Sequence, residues 1–221
     1  MINIKFLLFI SLLFSPLAFS GEIYEHFPEQ INANEKYVFY SHGYIVEGIN
    51  PTPKNDRWGT YQFPAIKESL SDREYNLIAY HRPKGTDPFK HAETLANDVR
   101  TLLKNGVDGN HITIIGFSRG AFITSITSHY LAKTPIKTVL LAGCGRIVTA
   151  KYSDIKANGA LLSVYETSDG ASTCKKLQQR SVNLESFDEI VISTGKEHGA
   201  FYRPMDEWVV PVKHWIKANS K

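Results

Sequence analysis

Ile112-Thr113-Ile114-Ile115-Gly116-Phe117-Ser118-Arg119-Gly120-Ala121 is the stretch that decides how this chain reads. Ile112 to Ile115 is a short, β-branched apolar run, the mark of a buried strand. Gly116 to Gly120 follows it directly and fits G-x-S-x-G. Ala121 to Lys133 comes next, mostly small and apolar, and reads as a helix packed on the sheet. Set between a strand and a helix, the serine occupies a sharp turn. The flanking glycines permit that turn, because a side chain there would collide with a neighbouring strand or helix. The turn lifts Ser118 out of the sheet plane, and the following helix aims its N-terminus at it. That end of the helix dipole favours developing negative charge. Ser118 is therefore a candidate nucleophile.

On both sides of this stretch the chain alternates apolar runs with amphipathic ones, the pattern of a parallel sheet covered on two faces. Tyr37 to Tyr40, Asn76 to Tyr80, Thr138 to Leu141, Leu161 to Tyr165 and Glu189 to Ser193 read as further strands. Phe63 to Ser71 reads as a short helix. Asp87 to Asn105 reads as a longer one, with Ala92, Leu95, Ala96, Val99, Leu102 and Leu103 at helical spacing and Gly106 as its C′ residue. Short helices are expected over Thr149 to Ala157 and Lys175 to Arg180. The apolar stripe Met205, Trp208, Val209, Val212, Trp215 and Ile216 predicts a C-terminal helix, kinked or restarted at Pro211. Gly48 to Thr60, rich in Pro, Asn and Gly, reads as a loop.

The segment around Ser118, and the element order on both sides of it, resemble the α/β-hydrolase superfamily from about Tyr37 to the C-terminus. The resemblance implies an α/β fold with a mostly parallel central sheet and helices on both faces. It also implies nucleophile, acid and base in that chain order. His198 lies just after the last strand, where the family places its base; His214 reads as a packed or surface helix residue. Asp169 follows the strand before the last and falls at the family's acid position. Glu166, where the family often has a small residue, is the competitor. The resemblance implies an oxyanion hole from the backbone amides of Arg119 and of Tyr44, with Ile45 as the alternative to Tyr44. His42-Gly43 is similar to the His-Gly pair of many members, and His42 also has a structural reading. His42, Gly43 and Arg82 are candidate substrate-binding residues. Arg82 suits an anionic substrate group or a carboxylate such as Asp87. The Arg119 side chain has a solvated reading. Trp58, Tyr61 and Phe63 could form an apolar wall or pack in the core. The expected activity is hydrolysis of small-molecule carboxylic esters through an acyl-enzyme, in an open site without a large cap domain. An acyltransferase or thioesterase would use the same triad, and a binding protein could occupy the same scaffold.

The remaining features bound this reading. The chain has 221 residues, 43% hydrophobic and 21% charged, enough for one domain, expected over 21–221. A net charge of +3 gives no argument for a nucleic-acid partner. Met1 to Ser20 reads as a secretory signal peptide: Lys5, an apolar run from Phe6 to Phe14, then Ala18-Phe19-Ser20 as a small-x-small cleavage site. The expected location is periplasmic or extracellular, with no membrane span once the leader is cleaved. Export permits a disulfide between Cys144 and Cys174, which fall near predicted strand ends on one side of the sheet. No sequence pattern calls for a metal or an organic cofactor.

Overall fold

In the computed structural model, which describes residues 21–218, the chain begins with β1 (Ile23–Tyr24) and β2 (Tyr37–Ser41). A two-residue hairpin follows, β3 (Lys54–Asn55) and β4 (Gly59–Thr60), then α1 (Phe63–Leu70) and β5 (Asn76–Ile78). The middle of the chain is α2 (Pro88–Lys104), β6 (Ile112–Phe117), α3 (Arg119–Tyr130) and β7 (Lys137–Leu141). It ends with β8 (Asn158–Glu166), α4 (Lys175–Arg180), β9 (Asn183–Ile192) and α5 (Asp206–Lys217). The expected signal peptide lies outside the described residues.

Seven strands form one sheet in the order β1-β5-β2-β6-β7-β8-β9, every neighbouring pair parallel. Both faces are covered, as an all-parallel sheet requires. In β2, Val38 and Tyr40 face one apolar cluster, with α1 and α5; Tyr37 and Phe39 face the other, with α2, α3 and α4. From β2 the chain crosses outward to β5, then returns to the other side of β2 to make β6. The direction of winding thus reverses between β2 and β6. In open parallel sheets, ligands bind beyond the strand C-termini at such a reversal.

α3 is buried from Gly120 to Ser128 although it carries several hydroxyls. They are satisfied inside: Ser125 Oγ donates to the Ala121 carbonyl at 2.8 Å, and Thr127 Oγ1 to Ile123 at 3.0 Å. Ser128 Oγ accepts from the Asn158 amide, tying α3 to the start of β8. No helix among the described residues is long and apolar enough to cross a membrane.

One local expectation fails and another is narrowed. Instead of a helix over Thr149 to Ala157 there is a five-residue π-helical turn, Ile147–Lys151. The carbonyls that a continued helix would use are taken by Arg180: its guanidinium donates to Ile155 at 2.7 Å and to Val148 at 2.6 Å. α5 runs through Pro211 as one helix, without a restart. Trp208, Val209, Val212 and Ile216 bury its inner face, which offsets the lost backbone bond.

Cys144, just beyond β7, is bonded to Cys174, just before α4, with Cα atoms 5.2 Å apart. The bridge closes a loop of 30 residues, for which chain entropy gives about 3.5 kcal/mol. Replacing both cysteines by serine should lower the unfolding free energy by about that amount in urea denaturation. An unchanged midpoint and slope would contradict it.

Candidate active site

Ser118 sits between β6 and α3 with φ 54° and ψ −115°, outside the regions comfortable for a side-chain-bearing residue. The neighbours fix it there. Its amide donates to the Leu141 carbonyl at 3.0 Å, and its carbonyl accepts from Phe122 at 3.0 Å. The motif glycines are demanded by space. A Cβ on Gly120 would lie 1.9 Å from the Ser41 carbonyl oxygen, and one on Gly116 would lie 2.3 Å from that of Gly120.

His198 arrives from a 3₁₀ segment, Glu197–Tyr202, after β9. Its Nε2 lies 2.8 Å from Ser118 Oγ, and its Nδ1 lies 2.7 Å from Asp169 Oδ2. Phe117 and Trp58 flank the ring at 4.7 and 5.1 Å between centroids. Asp169 follows β8 in a turn whose amide donates to the Glu166 carbonyl at 3.1 Å. An Nδ1–H tautomer, donating to Asp169, leaves Nε2 free to accept from the Ser118 hydroxyl.

Glu166, the other acid considered, does not touch His198. Its side chain is buried and joins two loops. One oxygen accepts from the Thr194 and Gly195 amides at 2.8 and 2.9 Å, the other from the Ser168 amide at 2.7 Å. Burial would raise its pKa, but the hydrogen bonds from Ser168, Thr194 and Gly195 outweigh it and hold the carboxyl down at about 2. Glu166 thus fixes the loop carrying Asp169 against the loop leading to His198.

Arg119 and Tyr44 each open a helical turn, where backbone amides have no intrahelical partner. Both residues line the cleft beside Ser118. Gly43 lines it too, and its amide donates to Tyr61 Oη at 3.4 Å. Below them lies Glu47, which bonds Arg119 Nε at 2.9 Å and lies 3.6 Å from Arg82 Nε. The Arg119 side chain, read as solvated, is therefore pinned, and its Nη2 also donates to the Thr86 carbonyl at 2.7 Å.

His42 and Arg82 stand apart from the substrate-binding role considered for them. Both are buried, at 0% and 1% exposure. His42 Nε2 accepts from the Arg82 amide at 2.9 Å, and its Nδ1 lies 2.8 Å from the Gly43 carbonyl. Burial, with the Arg82 charge nearby, depresses its pKa to about 2, so it is neutral and structural. The Arg82 guanidinium turns inward to Glu47 and donates to the His42 carbonyl, and Asp87 is not its partner. Asp87 instead caps α2, accepting from Phe89 and Lys90. Tyr61 and Phe63 are core residues. Trp58 alone of the three aromatics lines the cleft. Its indole donates to Glu197 at 3.1 Å, and Glu197 also pairs with Arg57. His214 is exposed on α5.

Two cavities meet at Ser118 and His198. One, of about 490 Å³, runs past Gly43, Ile45, Asn55, Trp58 and Lys84. The other, of about 570 Å³, runs past Phe122, Gly143, Ile147 and Tyr152. Among the described residues no cluster of His, Cys, Asp and Glu is arranged to hold a metal ion.

No protein-family model and no curated protein matches the chain. Solved structures do. A lipase-esterase related protein from Clostridium acetobutylicum superimposes with TM-score 0.53 at 13% identity, covering 85% of this chain and 96% of its own. A CIB-like hydrolase from Thermoplasma acidophilum gives 0.54 at 16%, covering 85% and 88%. RedJ, a thioesterase of the prodiginine biosynthetic pathway in Streptomyces coelicolor, gives 0.55 at 9%, covering 82% and 87%. At these identities the likeness establishes the α/β-hydrolase fold.

Glu166→Gln should loosen both loops, lowering stability by about 2 kcal/mol and kcat by roughly tenfold. The carboxyl's folded pKa, about 2, lies below its unfolded value, so its contribution is complete above the unfolded value. The stability gap between wild type and variant should be full at pH 6 and shrink as pH falls toward about 2. Denaturation across pH measures it; a gap independent of pH would contradict the clamp.

Proposed function

We propose that this chain is a serine hydrolase that cleaves carboxylic esters in the periplasm or outside the cell. The observation that carries the proposal is the unbroken hydrogen-bonded series Ser118–His198–Asp169, at 2.8 and 2.7 Å. It lies at the C-terminal edge of the sheet, where the winding reverses. The disulfide suits an oxidising compartment.

The chemistry follows from the positions. Ser118 Oγ attacks the ester carbonyl carbon while His198 Nε2 takes its proton. The carbonyl electron pair moves onto oxygen, and the Arg119 and Tyr44 amides donate to that oxyanion. Asp169 accepts from Nδ1–H and stabilises the imidazolium. The tetrahedral centre collapses, the carbon–alkoxide bond breaks, and His198 returns its proton to the leaving alcohol. Water then attacks the acyl-enzyme. His198 takes the water's proton and passes it to Ser118 Oγ as the acid departs. The two cavities leave the acyl carbon reachable by water, as hydrolysis of the acyl-enzyme requires.

Ser118→Ala, His198→Ala and Asp169→Asn should each lower kcat on p-nitrophenyl butyrate by roughly a thousandfold or more. The first two combined should cost little beyond either alone, because the groups act as a unit. A folded Ser118→Ala protein that turns over the ester at the wild-type rate would overturn the proposal.

A further inference from the structure

The two cavities that meet at Ser118 differ in charge. The Trp58 side carries Lys84 together with Glu47. The other carries Arg119, Arg146 and Lys151 and no acidic residue. Arg119 is balanced by Glu47. Arg146 and Lys151 make no ion pair with a carboxylate among the described residues. Both are exposed, while Val148 between them is buried.

The local fold explains this arrangement. Ala142 to Gly145 leave the end of β7, the strand beside β6, and so lie next to the nucleophile. The π-helical turn Ile147–Lys151 then folds back over α3, closed by the Tyr152 amide donating to the Ile147 carbonyl at 3.0 Å. Such i→i+5 turns recur at functional sites. This one is braced from below by Arg180 and anchored by the disulfide at Cys144. Its Ile147, with Phe122 and Tyr152, makes an apolar wall, and Arg146 and Lys151 line the same groove, with Lys151 Nζ 5.3 Å from the centre of the Tyr152 ring. A cleft with one sign of charge and apolar walls focuses that field on whatever enters.

We infer that this groove binds the limb of the ester substrate that is an apolar chain ending in an anionic group, held by Arg146 and Lys151. The inference rests on the serine-hydrolase proposal for turnover, and on the groove alone for binding. The shared chemistry is a carboxylate or phosphate some atoms removed from the scissile bond. The apolar chain fills the Phe122–Ile147–Tyr152 wall, and its terminus meets the two cations at the water-facing rim.

The test compares charged and neutral esters of matched length on either limb. On the acyl side these are mono-p-nitrophenyl suberate and p-nitrophenyl octanoate. On the alcohol side they are the acetate esters of 8-hydroxyoctanoate and of octanol. Wild type should favour the anionic member of one pair. That preference, as a ratio of kcat/KM values, should fall roughly tenfold when Arg146→Glu and Lys151→Glu are combined. It should also weaken with added salt. The same charge change at Lys104 and Lys133, away from the groove, should leave the ratio as it was. No preference on either limb, or an equal fall in the control variant, would overturn the inference.

Suberate binding to Ser118→Ala protein by calorimetry needs no turnover. Binding that the Arg146 and Lys151 substitutions weaken supports the groove even if no ester is hydrolysed, in which case only the proposed activity fails. Absent binding together with normal, charge-blind ester turnover refutes the groove and leaves the activity standing.

Discussion

Everything in the site depends on how closely α3 approaches the end of β2. The first turn of α3 leaves no room for a side chain at Gly120, because the Ser41 carbonyl already fills that space. This contact lets the chain turn abruptly from β6 into α3. The cost is a strained backbone at Ser118, of order 1–3 kcal/mol. The sheet holds the strain, since the bonds at Ser118 run to the neighbouring strand β7 and into α3. The result is a hydroxyl raised above the strand ends, beside the amide of Arg119, with a helix N-terminus behind it.

Two buried carboxylates convert that bend into a site. Glu47 ties the loop after β2 to Arg119 and approaches Arg82, so the two amides proposed to face the oxyanion share one anchor. Glu166 does the same for the other half, joining the turn that bears Asp169 to the residues that lead to His198. Each Glu166 oxygen accepts more than one hydrogen bond, whereas Glu47 accepts from Arg119 through one oxygen and its other oxygen has no hydrogen-bond partner among the described residues. Burial strengthens such networks when they are satisfied and penalises them when they are not. The loops stay short, and the rigidity of the sheet reaches the reacting atoms.

The parallel sheet, its helical covering and six of its seven strands were legible because buried strands and amphipathic helices repeat with distinct periods; the two-residue β1 and the spatial order of the strands were not. Ser118 was legible from its strand–turn–helix setting, and Asp169 and His198 from the resemblance to the family; the structure brings the three side chains within hydrogen-bond distance. The long-range polar contacts were not legible. Nothing local separates Glu47 or Glu166 from a solvated loop acid, and Arg82 sits where a ligand-binding arginine would, yet turns inward. Arg180 was hidden for the same reason: it replaces a helix over Thr149 to Ala157 by capturing carbonyls 25 and 32 residues away. The hairpin β3–β4 has two-residue strands, too short for any alternation to register. At Pro211 the helix continues without the restart that the local rule allowed, because tertiary packing of Trp208 and Val212 outweighs that rule.

In the proposed mechanism the bend at Ser118 and the imidazole of His198 together make one activated hydroxyl. Labelling with a fluorophosphonate followed by peptide mapping addresses it directly, since the reagent reports nucleophilicity rather than mere exposure. The account predicts a single stoichiometric adduct on Ser118 in the folded wild-type protein, and none in His198→Ala over the same time. A folded protein that takes up no label, or that carries it on another residue, would contradict it.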